Sequence, residues 1–423
     1  MEKRKIVAAI KPLVVALIII SLIVGVAIGY FIPRPAEGAV VGLKGEIPVG
    51  ICLTLTGDFA SYGARARAAV EIAEAEINDF VTKAGIPVTF KFYYEDTEHK
   101  PDVALSKVQS LAARGIKVIV GGMPSTDVKA IAGYVDSNKI VVIDGTSVAP
   151  RAVVAPPADY IFRTLPTCEY EAEALVAAFL DKGYKYVASL VTKDAYSLAI
   201  QDTFEERFKA VGGTILARIE YAPGTVEFSA ELEALEAAIT PAVKEHAGEV
   251  VILANVWEEV TLILSQAEKR NSLTLDLPWY STDCLALSTV VIKDAGVLAA
   301  KVGLPSVLFD APYSDRYAEL IEKAKAKIGE ELDIYALATY DSTWIAALSI
   351  LAAGKYDGET IKAVVPYISA NYFGATGNPV LRPDGDREAM NLALWAVVEE
   401  NGTYKWEKIA FYDSMAKVIQ WLS

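Results

Sequence analysis

The hydrophobic pattern of this chain opens with one long apolar run and then settles into a regular alternation. Residues 12–33, PLVVALIIISLIVGVAIGYFIP, carry no charged side chain and follow Lys3, Arg4, Lys5 and Lys11. About 20 apolar residues rising about 1.5 Å each suffice to cross a hydrocarbon layer of about 30 Å. The basic flank marks the cytoplasmic side, so everything after the run is expected outside. Two readings stay open. The run is a retained membrane anchor, which its length favours, or a secretory signal cleaved near Ala36-Glu37-Gly38, since signal cores span about 7–15 apolar residues. Residues 37–46, rich in Gly, form a linker.

Beyond it, short apolar runs alternate with stretches of helical period. Strands are expected at 47–55, 87–94, 117–121 and 140–143, and helices at 60–83, 102–114 and from the loop at 121–127 to about 136. Within 60–83 the spacing of Ala69, Val70, Ile72, Ala73, Ile77 and Phe80 defines a buried face. The rhythm then repeats: helices at 168–182, 198–211, 227–246 and 257–270, with strands at 186–191, 214–221, 249–254 and 277–281. From about Phe309 the pattern loosens, with helices at 314–328 and 335–353 and a segment dense in turn formers at 373–387. Strands at 392–399 and 405–412 meet at an Asn401-Gly402 turn. Strands alternating with helices call for parallel sheets with right-handed crossovers, an α/β class. Two such units stand side by side with no flexible linker between them.

Composition narrows the function. The net charge of −14 and the lack of a basic stripe exclude nucleic acid as a partner. Two histidines and four methionines offer little for a metal site, and neither a metal nor a cofactor is expected. His99, among charged neighbours, and His246, near a helix end, are expected in solvent. Cys52, Cys168 and Cys284 lie far apart with no CxxC, which predicts buried free thiols. None of the G-x-S-x-G, H-E-x-x-H, Walker or G-x-G-x-x-G motifs occurs, so no enzyme is expected.

What does recur is polar side chains just after strands: Ser61 and Tyr62, Ser125 and Thr126, Thr146 and Ser147, Tyr196, and Asp283. Ligands of open α/β sheets bind at the carboxyl ends of strands, and hydroxyls with free helix N–H groups suit a small carboxylate. Asp283 would answer an ammonium. Together they describe a site for a zwitterion, although each Ser or Thr alone also fits a helix cap, as does Asp283.

The stretches LTGDFASYGARARAAVEIAEAEIN (55–78), YYEDTEHKPDVALSKVQSLAARGIKVIVGG (93–122), IVVIDGTSVAP (140–150), YIFRTLPT (160–167), VTKDAYSLAIQDTFEERFKAVGG (191–213), ALATYDSTWIAALSIL (336–351) and FGATGNPVLRPDGDR (373–387) carry a resemblance. In this order they resemble the amino-acid-binding proteins of the leucine/isoleucine/valine type, which serve ATP-driven importers. The resemblance implies two lobes of type I periplasmic-binding architecture joined by three crossovers, with the ligand between them. It implies a first lobe of residues 46–163 with 309–378, a second of 164–308 with 379–423, and an anchor or signal with its linker at 1–45. The ligand carboxylate would lie at Ser125 and at Gly145-Thr146-Ser147, the first-loop aromatic would be Tyr62, and the second lobe would supply Tyr196 and Asp283. Tyr340 matches a late ligand-facing tyrosine, and Trp257 sits near a family tyrosine. The implied partners are an amino acid, a permease with its ATPase subunits, and the membrane through the N-terminal helix. A membrane-anchored extracellular sensor of a small amide or other polar solute is the alternative. Ser197 stands where the family carries Gly and Asp283 where branched-chain binders carry Glu, which leaves the side-chain preference open.

Overall fold

The computed structural model describes residues 42–57, 59–155 and 159–422; the apolar run at 12–33, its cleavage-site candidate and Asp58 lie outside the described residues. Gly45–Leu53 (β1) is an inner strand of a five-stranded sheet. Its partners are Val88–Asp96 (β2), Val118–Gly122 (β3), Val141–Asp144 (β4) and Ile161–Arg163 (β5). The order is β2-β1-β3-β4-β5 with every pairing parallel. The connecting helices are Ala60–Lys83 (α1), Pro101–Ala113 (α2), Ser125–Ser137 (α3) and the single turn Arg151–Val154 (α4). Parallel strands covered on both faces bury nearly every side chain, and β3 and β4 are buried throughout.

The second sheet runs β7-β6-β8-β9-β10 in parallel, from Tyr186–Thr192 (β6), Thr214–Tyr221 (β7), Val250–Asn255 (β8), Trp279–Ser281 (β9) and Ser306–Phe309 (β10). Three antiparallel strands extend it: Leu392–Glu400 (β11), Thr403–Asp413 (β12) and Val418–Trp421 (β13). Asn401 and Gly402 take φ of +53° and +80° between β11 and β12, the positive-φ pair that a two-residue hairpin turn requires. Its helices are Glu169–Lys182 (α5), Ala195–Ala210 (α6), Ser229–Glu245 (α7), Val260–Lys269 (α8) and Thr289–Val302 (α9). The chain then returns to the first sheet with Asp315–Ile328 (α10), Ile334–Ala353 (α11) and Gly358–Asn371 (α12). Helix α11 is apolar all round because it is enclosed all round, by α1, α12, β3 and β4.

Two helices escape the sequence pattern. α9, where the sequence pattern predicts no element, begins Thr-Val-Val-Ile, and the Ser288 hydroxyl accepts the Val291 N–H at its start. α12, likewise without an element expected from the sequence, is capped at its start by Asp357 and carries Pro366 inside it. Phe80, expected inside, is 41% exposed and meets the edge of Trp344.

Three crossovers join the lobes, after β5, after β10 and after α12. The first and third run side by side. Arg163 N–H donates to the Gly385 carbonyl and Arg387 N–H to the Arg163 carbonyl. Their side chains lock the pair: Arg163 forks onto Asp386, and Arg387 Nη1 reaches the Thr164 carbonyl at 3.1 Å. Asp341 on α11 holds the 375–376 turn through two backbone N–H groups and two hydroxyls.

Candidate ligand cleft

In each sheet the chain reverses its direction of winding between two neighbouring strands, β1 and β3 in the first, β6 and β8 in the second. The loops leaving such a pair diverge and open a crevice at the carboxyl ends of the strands. The two crevices face each other. Thr54, Phe59 and Tyr62 follow β1, Ser125 and Thr126 follow β3, and Thr146 and Val148 follow β4. From the second lobe come Asp194 and Tyr196 after β6, Trp257 after β8 and Asp283 after β9. The cavity between these walls measures about 50 Å3. The lobes therefore stand close.

Contacts across the cleft hold them there. The Tyr335 hydroxyl, on α11 of the first lobe, donates to Asp283 Oδ2 of the second. The Phe59 ring stands edge-on to Trp257 at 4.4 Å, and Trp257 in turn lies 5.8 Å from Tyr196. Within the first lobe, Tyr62 stands edge-on to Tyr335 at 6.0 Å. The cleft is thus an aromatic chamber with acids at its second-lobe end.

Those acids are Asp283 and Glu171, the latter in the first turn of α5. Glu171 Oε2 accepts the Tyr196 hydroxyl at 2.9 Å and the Asp283 N–H at 3.2 Å. Glu171 Oε1 and Asp283 Oδ1 are buried with no hydrogen-bond partner among the described residues, and so is the Tyr62 hydroxyl. No described Lys or Arg pairs with either acid. Burial pushes Asp283 up to about 6, against the pull of the Tyr196 and Tyr335 hydroxyls. Burial and then the Asp283 charge drive Glu171 well above the usual carboxylate range. Two buried carboxylates side by side cost several kcal/mol unless a proton or a cation joins them.

The first-lobe end is built differently. α3 begins after Pro124 with no side-chain cap, so its first-turn N–H groups at Ser125 and Thr126 have no side-chain acceptor, and both residues line the cleft. Ser125 Oγ accepts from Ser147 Oγ and from Ala149 N–H, each at 3.1 Å. Asp144, at the end of β4, accepts N–H bonds from Met123 at 3.0 Å, Thr146 at 2.9 Å and Ser147 at 2.6 Å.

Of the residues expected from sequence, Tyr62, Ser125, Thr126, Thr146, Tyr196, Trp257 and Asp283 come together in the walls. Three do not line them. Ser147 lies beneath Ser125. Gly145 packs backbone to backbone against α11, where a Cβ would meet Thr339 N at 2.5 Å. Tyr340 points to the far side of α11, where its hydroxyl donates to Glu76 and accepts from Arg316. Tyr335, five residues earlier, takes the cleft position, because a helix turns its i and i+5 side chains to different faces. Asp283 caps no helix; Ser288 caps α9. Ser61 is exposed within α1, which has no side-chain cap. His99 is not in solvent: it lines the cleft edge-on to Phe59 at 4.3 Å. His246 stacks on Tyr186 at 4.3 Å. The three cysteines are buried and free. Sequence reasoning missed Glu171, Phe59, His99, Val148 and Tyr335. Glu171 sits in the run Glu169-Tyr-Glu171-Ala-Glu173, where only the fold singles out the middle acid.

Residues 46–402 match the family model of the periplasmic binding proteins. An uncharacterized protein of Methanocaldococcus jannaschii is 32% identical over 391 residues, covering 89% of this chain and 91% of its own. Among solved structures, a leucine binding protein from Thermotoga maritima superposes with a TM-score of 0.72 at 19% identity, covering 85% of this chain and 97% of its own. A branched-chain amino acid transporter substrate binding protein from Streptococcus pneumoniae, in complex with isoleucine, gives 0.70 at 18% identity, covering 86% and 99%. Two mainly parallel α/β lobes, three crossovers and a cleft at the strand ends go with that match, and the chain belongs to the type I periplasmic binding protein family.

Proposed function

We propose that this protein captures a small amino compound of the amino-acid class outside the cytoplasmic membrane and delivers it to an ABC permease. One observation carries the reading: Asp283 and Glu171 present two buried carboxylate oxygens without partners beside a chamber of aromatic rings. An ammonium satisfies both the charge and the hydrogen bonds of such a pair, and aromatic faces attract the same cation. Capture proceeds by lobe closure, a motion for which periplasmic binding proteins serve as a general example. The first lobe receives the ligand at the α3 N-terminus, and the second closes over it with Tyr196, Trp257 and Asp283. Closure removes water and strengthens each charge-assisted bond. The closed form, held by Tyr335 and Asp283, is what a permease would engage.

Branched-chain amino acids are the first ligands to consider, since the Streptococcus pneumoniae structure holds isoleucine. The apolar run at 12–33 would tether the protein or direct its export. A thermal-shift screen of amino acids and their amides tests the reading, because a ligand that binds only the folded state raises its melting temperature. Stabilisation by amines that disappears in Asp283→Ala is the expected result. Stabilisation only by compounds without an amine would overturn it.

A further inference from the structure

Resting on the amine reading above, we infer that the ligand's other end is uncharged: the cleft takes an amine whose carboxyl group is masked, the amide of an apolar amino acid, in preference to the free zwitterion. The first-lobe end carries the argument. A ligand carboxylate there would need several N–H donors or a cation, but among the described lining residues the fold leaves the Ser125 and Thr126 N–H groups and no Lys or Arg. The Met123, Thr146 and Ser147 N–H groups already serve the buried Asp144 carboxylate. The guanidinium of Arg163 lies under Ser147 but is forked onto Asp386 at 2.7 and 2.6 Å.

A second acid stands at the same place. Asp127 is in the first turn of α3, the turn that brings Ser125 and Thr126 to the cleft. It is fully buried, and neither carboxylate oxygen makes a well-formed hydrogen bond. Its charge opposes the attraction that a helix N-terminus holds for an anion. Val148, an apolar side chain, fills the wall beside Thr146. Among the described lining residues there is no Lys or Arg, and His99 sits with the Phe59 ring in the aromatic wall.

What this end does offer suits a neutral group. Ser125 Oγ accepts two bonds, so its own hydrogen is left to give. Together with the Ser125 and Thr126 N–H groups it can hold a carbonyl oxygen, and a neutral group meets no repulsion from Asp127 and Asp144. An amide therefore gains hydrogen bonds where a carboxylate meets two buried acids. Charge at the opposite end agrees, since Glu171 and Asp283 favour a ligand that is cationic overall over one of zero net charge.

The test is titration calorimetry on the full chain in detergent near neutral pH, with matched acid and amide pairs: leucine and leucinamide, valine and valinamide, phenylalanine and phenylalaninamide. In the pair that binds, the amide is expected about tenfold or more tighter than the acid, the order of effect of one unfavourable buried charge. An acid that binds as tightly as its amide overturns the proposal while leaving the amine reading intact. If no member of the panel binds, but a neutral or anionic compound does, the amine reading falls and this proposal with it. Asp127→Asn supplies the second measurement: the preference for the amide should shrink at least about threefold, because the opposing charge is gone. An unchanged preference in a folded Asp127→Asn protein would remove Asp127 from the argument and overturn the proposal's electrostatic basis.

Discussion

Arg163 and Asp386, 223 positions apart in sequence, meet as a buried two-pronged ion pair, Nε to Oδ1 at 2.7 Å and Nη2 to Oδ2 at 2.6 Å. Both are fully buried, and each stands in a different crossover between the lobes. The remaining Arg163 nitrogen is taken up by the Ala149 carbonyl at 2.5 Å, and Arg151 adds a contact to Asp386 at 3.2 Å. Two hinge strands are thereby held in one register. Truncating one partner of such a pair strands the other charge in the interior. Asp386→Ala is therefore expected to cost about 3–5 kcal/mol of stability, read from the urea midpoint at constant slope. A loss under about 1 kcal/mol would mean that the pair contributes no more than an exposed one.

Tyr335 and Tyr340 lie on one helix, but only Tyr335 crosses the cleft, to Asp283. Tyr335→Phe removes a bond that exists only when the lobes meet, so ligand affinity should fall about ten- to a hundredfold, the worth of one hydrogen bond to a charged group. Tyr340→Phe loses only its bonds with Glu76 and Arg316 and should leave affinity within about twofold. Calorimetric titration of the two variants with the same ligand separates them; equal losses would contradict the assignment.

The Asp283→Asn variant keeps the shape of the side chain and removes the charge. Its loss of affinity for an amine should reach about 2–4 kcal/mol, since the ammonium loses its buried counter-charge. The comparison with Asp283→Ala shows how much of the effect is charge and how much is space. An Asn variant that binds amines normally would exclude an ionised Asp283.

Stability should depend on pH through the buried acids. Burial pushes the Asp127 carboxyl up to about 7, with the Thr97 hydroxyl opposing and Asp144 adding to the rise. A carboxyl whose folded pKa exceeds its unfolded one holds more protons in the folded state, so stability falls as pH rises between the two values. For Asp127 that window runs from about 4, the ordinary carboxylate value, to about 7; Asp283 acts in the same direction up to about 6. Asp127→Asn should reduce the stability lost between about pH 5 and pH 8 by about 2–3 kcal/mol. Denaturant unfolding at the two pH values checks it; an unaltered slope would mean that Asp127 is not buried as an acid.

Gly63, in the first turn of α1, lets the helix lie against the end of β1. A Cβ there would stand 1.8 Å from the Thr54 carbonyl oxygen and 3.1 Å from the Leu55 Cα. Gly63→Ala must push α1 away from the cleft wall, at about 1–3 kcal/mol, and shift Tyr62 with it. Thermal unfolding together with ligand titration should show both losses. Wild-type behaviour would mean that the helix has room to move.

Much of this protein was legible before any coordinates, and the division has a physical cause. Period and punctuation are local properties. The alternation of strands and helices, the Asn401-Gly402 turn and the polar positions after strands all follow from side chains within a few residues of one another. So did seven wall residues, from Tyr62 to Asp283, because a loop at the carboxyl end of a parallel strand faces the cleft by topology alone. Which acid joins Asp283 is not local. Glu169, Glu171 and Glu173 are equivalent as letters, and only the packing of α5 under Tyr196 and the loop after β9 buries Glu171 beside the second acid. Tyr335 and Tyr340 are likewise two tyrosines on one apolar helix, distinguished only when both its sides are covered. Nor could sequence reveal that Asp144 consumes the N–H groups expected for a ligand carboxylate, since competition for a donor depends on distances between loops far apart in the chain. The sequence by itself determined the two-lobed α/β scaffold and the place of the cleft; the tertiary structure decided which charges meet inside it, because burial, unlike period, is set by neighbours that sequence does not adjoin.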